Sequence, residues 1–376
     1  MKFVIEGRSG RARAGALIIG ANKIPTPVFM PVGTRGTVKT VSHEELESLG
    51  VRLILGNTYH LYLRPGHETI AKLGGLNRFT GWRGSYLTDS GGYQVFSLKT
   101  LNNIDDDGVS FQSHIDGSRH RFTAAGVIEI QIALGADIIM PLDVCSPYPV
   151  DEKTSNADLL RTIRWAEDSF EHMKRLQMTS ESQTLFAIVQ GSIYMDQRLH
   201  CLERLLGLNP PGLSIGGLSV GEPIDDRRRV LENLIPHLPE HLPRYLMGVG
   251  TPEDLIEAVG YGFDMFDCVM PTRNARNGTL FTRFGKMIIK SARYAEDPRP
   301  VDSQCICPAC RNYSRAYIRH LISVGEILGL RMATLHNLHF YHDMMRQIRT
   351  AISESKFESF SHLFLKNLSL GVEQLT

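Results

Sequence analysis

The chain has 376 residues, 42% hydrophobic and 22% charged, proportions ordinary for a globular protein. Its formal net charge of +1 excludes a global field that would gather a polyanion, so any nucleic-acid role needs a local basic patch. No apolar run approaches the ~20 residues that cross a bilayer, and the first ten residues lack the apolar centre of a signal peptide, so no membrane contact is expected.

In chain order, short apolar runs occur at 28–32, 53–55, 86–87, 138–142, 185–189, 213–215, 245–249 and 263–266. Stretches with helical spacing lie between them, at 43–49, 124–134, 156–178, 195–206 and 252–259. Strands alternating with helices predict a mostly parallel sheet, because parallel neighbours need a crossover. Eight such units predict an α/β fold of the (β/α)8 barrel type, in one domain spanning 1–376. No G-x-G-x-x-G opens the first unit, which argues against a dinucleotide-binding sheet. The runs end at Gly33, Asn57, Asp89, Asp143, Gln190, Gly217, Gly250 and Asp267. Aspartate and glycine punctuate strand ends as turn formers. In a parallel barrel, however, the carboxyl ends of the strands also build the site, so these residues converge on one mouth. Two insertions interrupt the pattern. Residues 93–123 alternate over 109–115 and carry the turn pair Asp116-Gly117, predicting a hairpin. Residues 297–340, after the eighth run, carry a cysteine cluster.

That cluster is the compact one among six cysteines. Cys145, Cys201 and Cys268 are scattered, whereas Cys305, Cys307 and Cys310 fall within six residues. The arrangement is a poor disulfide framework and a good metal site, pointing to a reducing, cytoplasmic setting. A closed tetrahedral zinc site needs a fourth ligand and leaves no open position, so the metal would hold the fold together and take no part in a reaction. His320, His336, His339 and His342 all qualify by spacing.

Asp89 precedes a paired glycine turn and the ring of Tyr93, a setting in which a planar ligand can approach the backbone. Asp267 precedes a basic loop. Cleaving a glycosidic bond with retention takes one carboxylate as nucleophile and one as acid/base, roughly 5–5.5 Å apart. Between Thr272 and His320 there are ten Lys/Arg and three Asp/Glu. Arg273, Arg276, Arg283, Lys286, Lys290 and Arg293 are the cations expected to grip phosphates.

Long strings carry a more specific signal: TPVFMPVGT at 26–34, NTYHL at 57–61, LRPG at 63–66, TDSGGYQVFS at 88–97 and DCVMPTRNARNG at 267–278. In these the chain resembles the tRNA-guanine transglycosylases of bacterial type, from Gly7 to about Tyr341. The resemblance implies a barrel with a late zinc subdomain, and a reaction in which guanine at position 34 of a tRNA anticodon loop is exchanged for 7-aminomethyl-7-deazaguanine (preQ1) in queuosine biosynthesis. It implies Asp267 as nucleophile and Asp89 as general acid/base. Asp143 and Gln190 would bond the base, the Gly217 N–H and the Leu218 carbonyl would contact it, and Tyr93 and Met247 would sandwich it. Arg273 and Arg276 would lie near the anticodon loop. The histidine string LHNL at 335–338 makes His336 the fourth zinc ligand, beside Cys305, Cys307 and Cys310. Cys145 and Val220 match pockets for a small incoming base, while Val144 stands where an acidic residue is usual. A homodimer is implied as the working unit.

Two other readings compete. A retaining glycoside hydrolase explains the paired aspartates and leaves the cysteine module and basic loop without a task. A zinc-ribbon RNA-binding subunit without catalysis explains those two and leaves Asp89 and Asp267 idle.

Overall fold

The computed structural model describes residues 1–97, 102–176 and 183–374. Eight short parallel strands form its centre: β1 Val28–Met30, β2 Leu53–Gly56, β3 Ser85–Thr88, β4 Ile138–Ile139, β5 Thr184–Leu185 continued by Ala187–Val189, β6 Leu213–Ile215, β7 Arg244–Leu246 and β8 Met265–Asp267. On one side β5 pairs with β6, β6 with β7, β7 with β8 and β8 with β1; on the other β5 pairs with β4, β4 with β3 and β3 with β2. The ring closes where Val32 bridges Leu55, with Leu55 N–H donating to Pro31 and Gly33 N–H to Leu55. The predicted barrel is the observed one.

Alternation along the strands decides what each face does, because successive side chains leave on opposite sides. Val28, Met30, Leu53, Leu55, Leu87, Ile138, Met140, Phe186, Ile188, Tyr245 and Met265 make one buried cluster, the barrel interior. Their neighbours Phe29, Ile54, Tyr86, Ile139, Leu185, Leu213, Leu246 and Phe266 belong to a second cluster shared with the surrounding helices. Three antiparallel strands, Lys2–Ser9, Ala12–Ile19 and Asn22–Thr26, supply Leu17, Ile19 and Ile24 to the interior cluster. They therefore plug the amino-terminal end of the barrel. This plug contains no long apolar run and was not among the expected elements.

The helices begin and end where the backbone is satisfied locally. Thr123 accepts from Gly126 N–H to start Ala124–Leu134, which stops at Gly135 in the left-handed region. The long helix predicted over 156–178 spans Glu152–Arg175 instead. Asp151 caps it through Thr154 N–H, and its first turn is wholly polar, so apolar periodicity alone starts it too late. Residue 178 lies outside the described residues. After β3 the chain forms a three-stranded meander, Asn102–Asp105, Gly108–Gln112 and Arg119–Phe122. The carboxyl end is two helices, Ile327–Ser353 and Phe357–Ser369. Among the described residues no helix is long and apolar enough to cross a membrane.

Below the barrel, Arg13 donates to Asp264 through Nε (2.8 Å) and Nη2 (2.5 Å), and to the carbonyls of Glu240 and Leu242. Both side chains are sealed from solvent. Removing one partner of such a pair leaves an uncompensated buried charge. Arg13→Met should therefore cost about 3–5 kcal/mol of stability, seen as a lowered urea midpoint at unchanged slope. A midpoint within error of wild type would show the plug to be dispensable.

Candidate active site

The inward parity of the strands continues past their ends. Two residues beyond the interior residues Leu55, Leu87, Ile188, Tyr245 and Met265 stand Asn57, Asp89, Gln190, Met247 and Asp267. The same face that buries apolar side chains in the barrel thus presents four polar ones and Met247 at its mouth.

Asp89 and Asp267 are held by neutral donors. Asp89 Oδ1 accepts from Thr58 N–H at 2.8 Å, and its Oδ2 accepts from Asn57 and, at 2.9 Å, from Gln94 Nε2. Asp267 Oδ1 accepts from the Tyr245 hydroxyl at 2.6 Å and from Gly248 N–H at 2.9 Å. Its Oδ2 carries no hydrogen bond among the described residues. Burial pushes the Asp89 carboxyl up to about 6 against the pull of its three donors, and the charge of Asp267 adds to the rise. Burial also raises Asp267, against its bonds to Tyr245 and Gly248. The two carboxylates share one electrostatic neighbourhood.

Asp143 completes the group. Its Oδ1 accepts from the Ser90 hydroxyl at 3.2 Å and its Oδ2 from Gln190 Nε2 at 2.7 Å. Burial lifts it to about 6, with a contribution from Asp89. Beside Gln190 the backbone turns at Gly217 with φ +63°, where a Cβ would lie 2.2 Å from Gln190 Oε1. Only glycine fits there. Leu218 is buried, and Glu222 accepts from Ser219 N–H and, at 2.9 Å, from Val220 N–H, which fixes the loop after β6. Cys145 is partly exposed. Val144 packs into the outer core, its N–H donating to Thr162 at 2.9 Å. Tyr93 is 62% exposed, an aromatic face left open to solvent, and Met247 packs against the interior cluster.

Past Asp267 the chain turns into the helix Met270–Arg276, with Arg273 exposed and Arg276 half-buried. Desolvation and the charge of Arg273 both lower Arg276, so the two cations stand close together. Asn337 holds this loop from behind, donating to Pro271 (2.9 Å) and Thr279 (3.1 Å) and accepting from Phe281 N–H (2.9 Å). Lys286 and Lys290 are exposed, whereas Arg283 and Arg293 are paired with Asp302 and Glu373 and so are committed within the chain.

The cysteine module gathers Cys305, Cys307, Cys310 and His336, whose ligand atoms lie within 4.8 Å of one another and could hold a metal ion. The three sulfurs stand 3.8, 3.5 and 3.3 Å from His336 Nδ1, close to the edge of about 3.6 Å that a tetrahedron with ordinary Zn–S and Zn–N lengths would have. His336 Nε2 bonds the Phe281 carbonyl at 2.8 Å, which leaves Nδ1 to face the sulfurs. Of the other histidines, His339 approaches Cys305 alone, at 3.5 Å.

The spacing of the sequence did not single out Tyr245, Arg198 or Glu222. Tyr245 lies inside an apolar strand. Arg198 sits on the helix Met195–Leu206, where a lone arginine reads as a solvated position, yet it is fully buried.

The family model described as queuine tRNA-ribosyltransferase matches residues 8–369. The queuine tRNA-ribosyltransferase of Desulforamulus reducens is 54% identical over 371 residues, covering 99% of each chain. That of Thermoanaerobacter pseudethanolicus is 55% identical over 355 residues, covering 94% of each, and that of Herminiimonas arsenicoxydans is 49% identical over 376 residues, covering 99% of this chain and 100% of its own. With three carboxylates gathered at the mouth of a barrel and a match running nearly end to end, the chain belongs to the queuine tRNA-ribosyltransferase family, whose members are pentosyltransferases.

Proposed function

We propose that the protein exchanges guanine 34 in a tRNA anticodon loop for preQ1 by two displacements at the ribose C1′. The observation that carries this reading is Asp267 itself: one carboxylate oxygen is anchored by Tyr245 and Gly248, and the other is free beside an acid poised near neutrality. In the first half, Asp267 Oδ2 forms a bond to C1′ as the C1′–N9 bond breaks, and Asp89 gives its proton to the departing guanine. In the second, Asp89 takes the N9 proton of preQ1, the nitrogen attacks C1′, and the bond to Asp267 breaks. A carboxyl with its pKa near 6 can serve both transfers. Asp143, Gln190, Gly217 and Leu218 would read the edge of the base and Tyr93 and Met247 its faces. Cys145 and Val220 support a pocket for a small incoming base. An anticodon base must leave its stack to reach such a pocket, and Arg273 and Arg276 beside Asp267 suit the phosphates of that loop.

Zinc is the metal proposed for Cys305, Cys307, Cys310 and His336; bound there, it would be a closed structural centre. Residues 297–340 are proposed as the zinc subdomain and 93–123 as an insertion at the mouth, of which 98–101 lie outside the described residues. The proposed working unit is a homodimer in the cytoplasm, on the strength of the resemblance.

Labelled guanine should enter tRNA bearing guanine 34 and leave again on addition of preQ1; no incorporation would remove the reading. Asp267→Asn should abolish an SDS-stable adduct between enzyme and tRNA. An adduct surviving in that variant would place the nucleophile elsewhere.

Cys310→Ser should lose the one bound zinc per chain and much of the folded stability together, because metal binding energy is folding energy in such sites. Zinc content by atomic absorption and a thermal melt check this, and a metal-free wild type of unchanged stability would overturn it.

The buried acid also has a cost that depends on pH. Between 3.8 and about 6 the folded protein holds on Asp89 a proton that the unfolded chain has released. Stability therefore falls as pH rises through that window, and the penalty is complete above it. The stability of Asp89→Asn relative to wild type should grow by on the order of 3 kcal/mol from about pH 4 to about pH 6, then level off. Urea midpoints across the window check this; a flat difference would contradict it.

A further inference from the structure

Arg198 is a fully buried guanidinium that forms no ion pair among the described residues. Its donors go to backbone carbonyls: Nε to Ser192 (2.6 Å), Nη1 to Val189 (3.4 Å), and Nη2 to Gly216 (3.0 Å) and Gly217 (3.3 Å). Burial lowers its pKa to about 10, which leaves it cationic at neutral pH. A buried charge without a counter-ion is expensive. Its acceptors are drawn from the ends of β5 and the loops after β5 and β6, the same segments that carry Gln190 and Gly217.

The geometry of one peptide explains the placement. The Gly216 carbonyl and the Gly217 N–H belong to the same planar trans unit and point in opposite directions. With the carbonyl drawn back to Arg198, the N–H is aimed away from it, on the side of Cys145, whose burial-raised thiol it pulls back down. A peptide whose carbonyl is bonded to a cation is polarised, and its N–H becomes a stronger donor.

We propose that Arg198 is a positioning residue that turns the Gly217 N–H into the base pocket and strengthens it as a donor to the ring carbonyl oxygen of a guanine-like base. The role rests on the base-exchange reading and adds to it the means by which an oxo-purine is preferred over a purine lacking that oxygen. Lysine keeps the charge but cannot span acceptors on two loops, because its donors leave from one point.

The test uses the full-length chain with Arg198→Lys and Arg198→Gln. Steady-state exchange is measured with guanine and tRNA varied separately, and binding of guanine and of 2-aminopurine, which lacks the carbonyl oxygen, is followed by calorimetry. The expected result is a guanine KM raised about tenfold or more, a much smaller change in kcat, an unchanged KM for tRNA and unchanged affinity for 2-aminopurine. Equal weakening of both bases would mean a merely structural role and would overturn the proposal, as would an unchanged guanine KM.

Should neither variant fold, the wild type still tests the contact on which the proposal depends. Only three Gly-Gly pairs occur in the chain, at 74–75, 91–92 and 216–217, so glycine labelled in both carbonyl carbon and nitrogen reduces the amides of an NMR spectrum to three, with that of Gly217 among them. That amide should shift with guanine and stay still with 2-aminopurine; an amide unmoved by guanine overturns the proposal. Wild-type exchange with normal variants removes the Arg198 role alone, whereas a wild type that exchanges no guanine removes the base-exchange reading.

Discussion

Three carboxylates stand at one end of this barrel, Asp143 buried and Asp89 and Asp267 partly so, with no cation paired to any of them among the described residues. Their partners are a tyrosine hydroxyl, a serine hydroxyl, side-chain amides and backbone N–H groups. Such donors orient a carboxylate without neutralising it, so the burial penalty stands and the proton affinity rises. The opposite end of β8 makes the contrast plain. Asp264, three residues before Asp267, is fully buried, whereas Asp267 is only partly so, and Asp264 takes a bidentate arginine. One strand thus carries a structural acid at its foot and a reactive one at its head, and the two differ both in partner and in access to solvent.

Much of this was legible in the chain because parallel barrel strands are covered on both faces and read as short apolar runs. The aspartates that follow β3 and β8 stood out for the same reason, as polar residues stopping apolar runs in register. The amino-terminal plug did not, since its strands carry charged residues such as Arg8 and Arg13 among the apolar ones and their burial depends on the barrel end they cover. Short helices at Thr58–Leu63, His67–Lys72 and Gly75–Thr80 escaped too, being punctuated by Gly66, Gly74 and Gly81 and too short to show a period.

Within the site, the acids were readable and their supports were not. Tyr245 is one more aromatic residue in a strand until β7 and β8 pair and bring its hydroxyl to Asp267. Arg198 is an ordinary helix cation until the helix docks and leaves it facing carbonyls. Arg283 and Arg293 erred in the other direction: a cation count treats all basic residues alike, and only the folded chain shows which are already spoken for.

The helix Ile327–Ser353 touches three distant parts of the molecule within two turns. Arg331 pairs with Glu45 and Thr334 bonds Thr40, both just beyond β1, while His336 faces the cysteines and Asn337 grips the loop after β8. These contacts share one axial setting. Lengthening that helix by a single residue between Thr334 and His336 would turn the first pair of contacts against the second by roughly 100° and 1.5 Å. The segment behaves as an indexing pin, whose residue count is held as firmly as the side chains at 336 and 337.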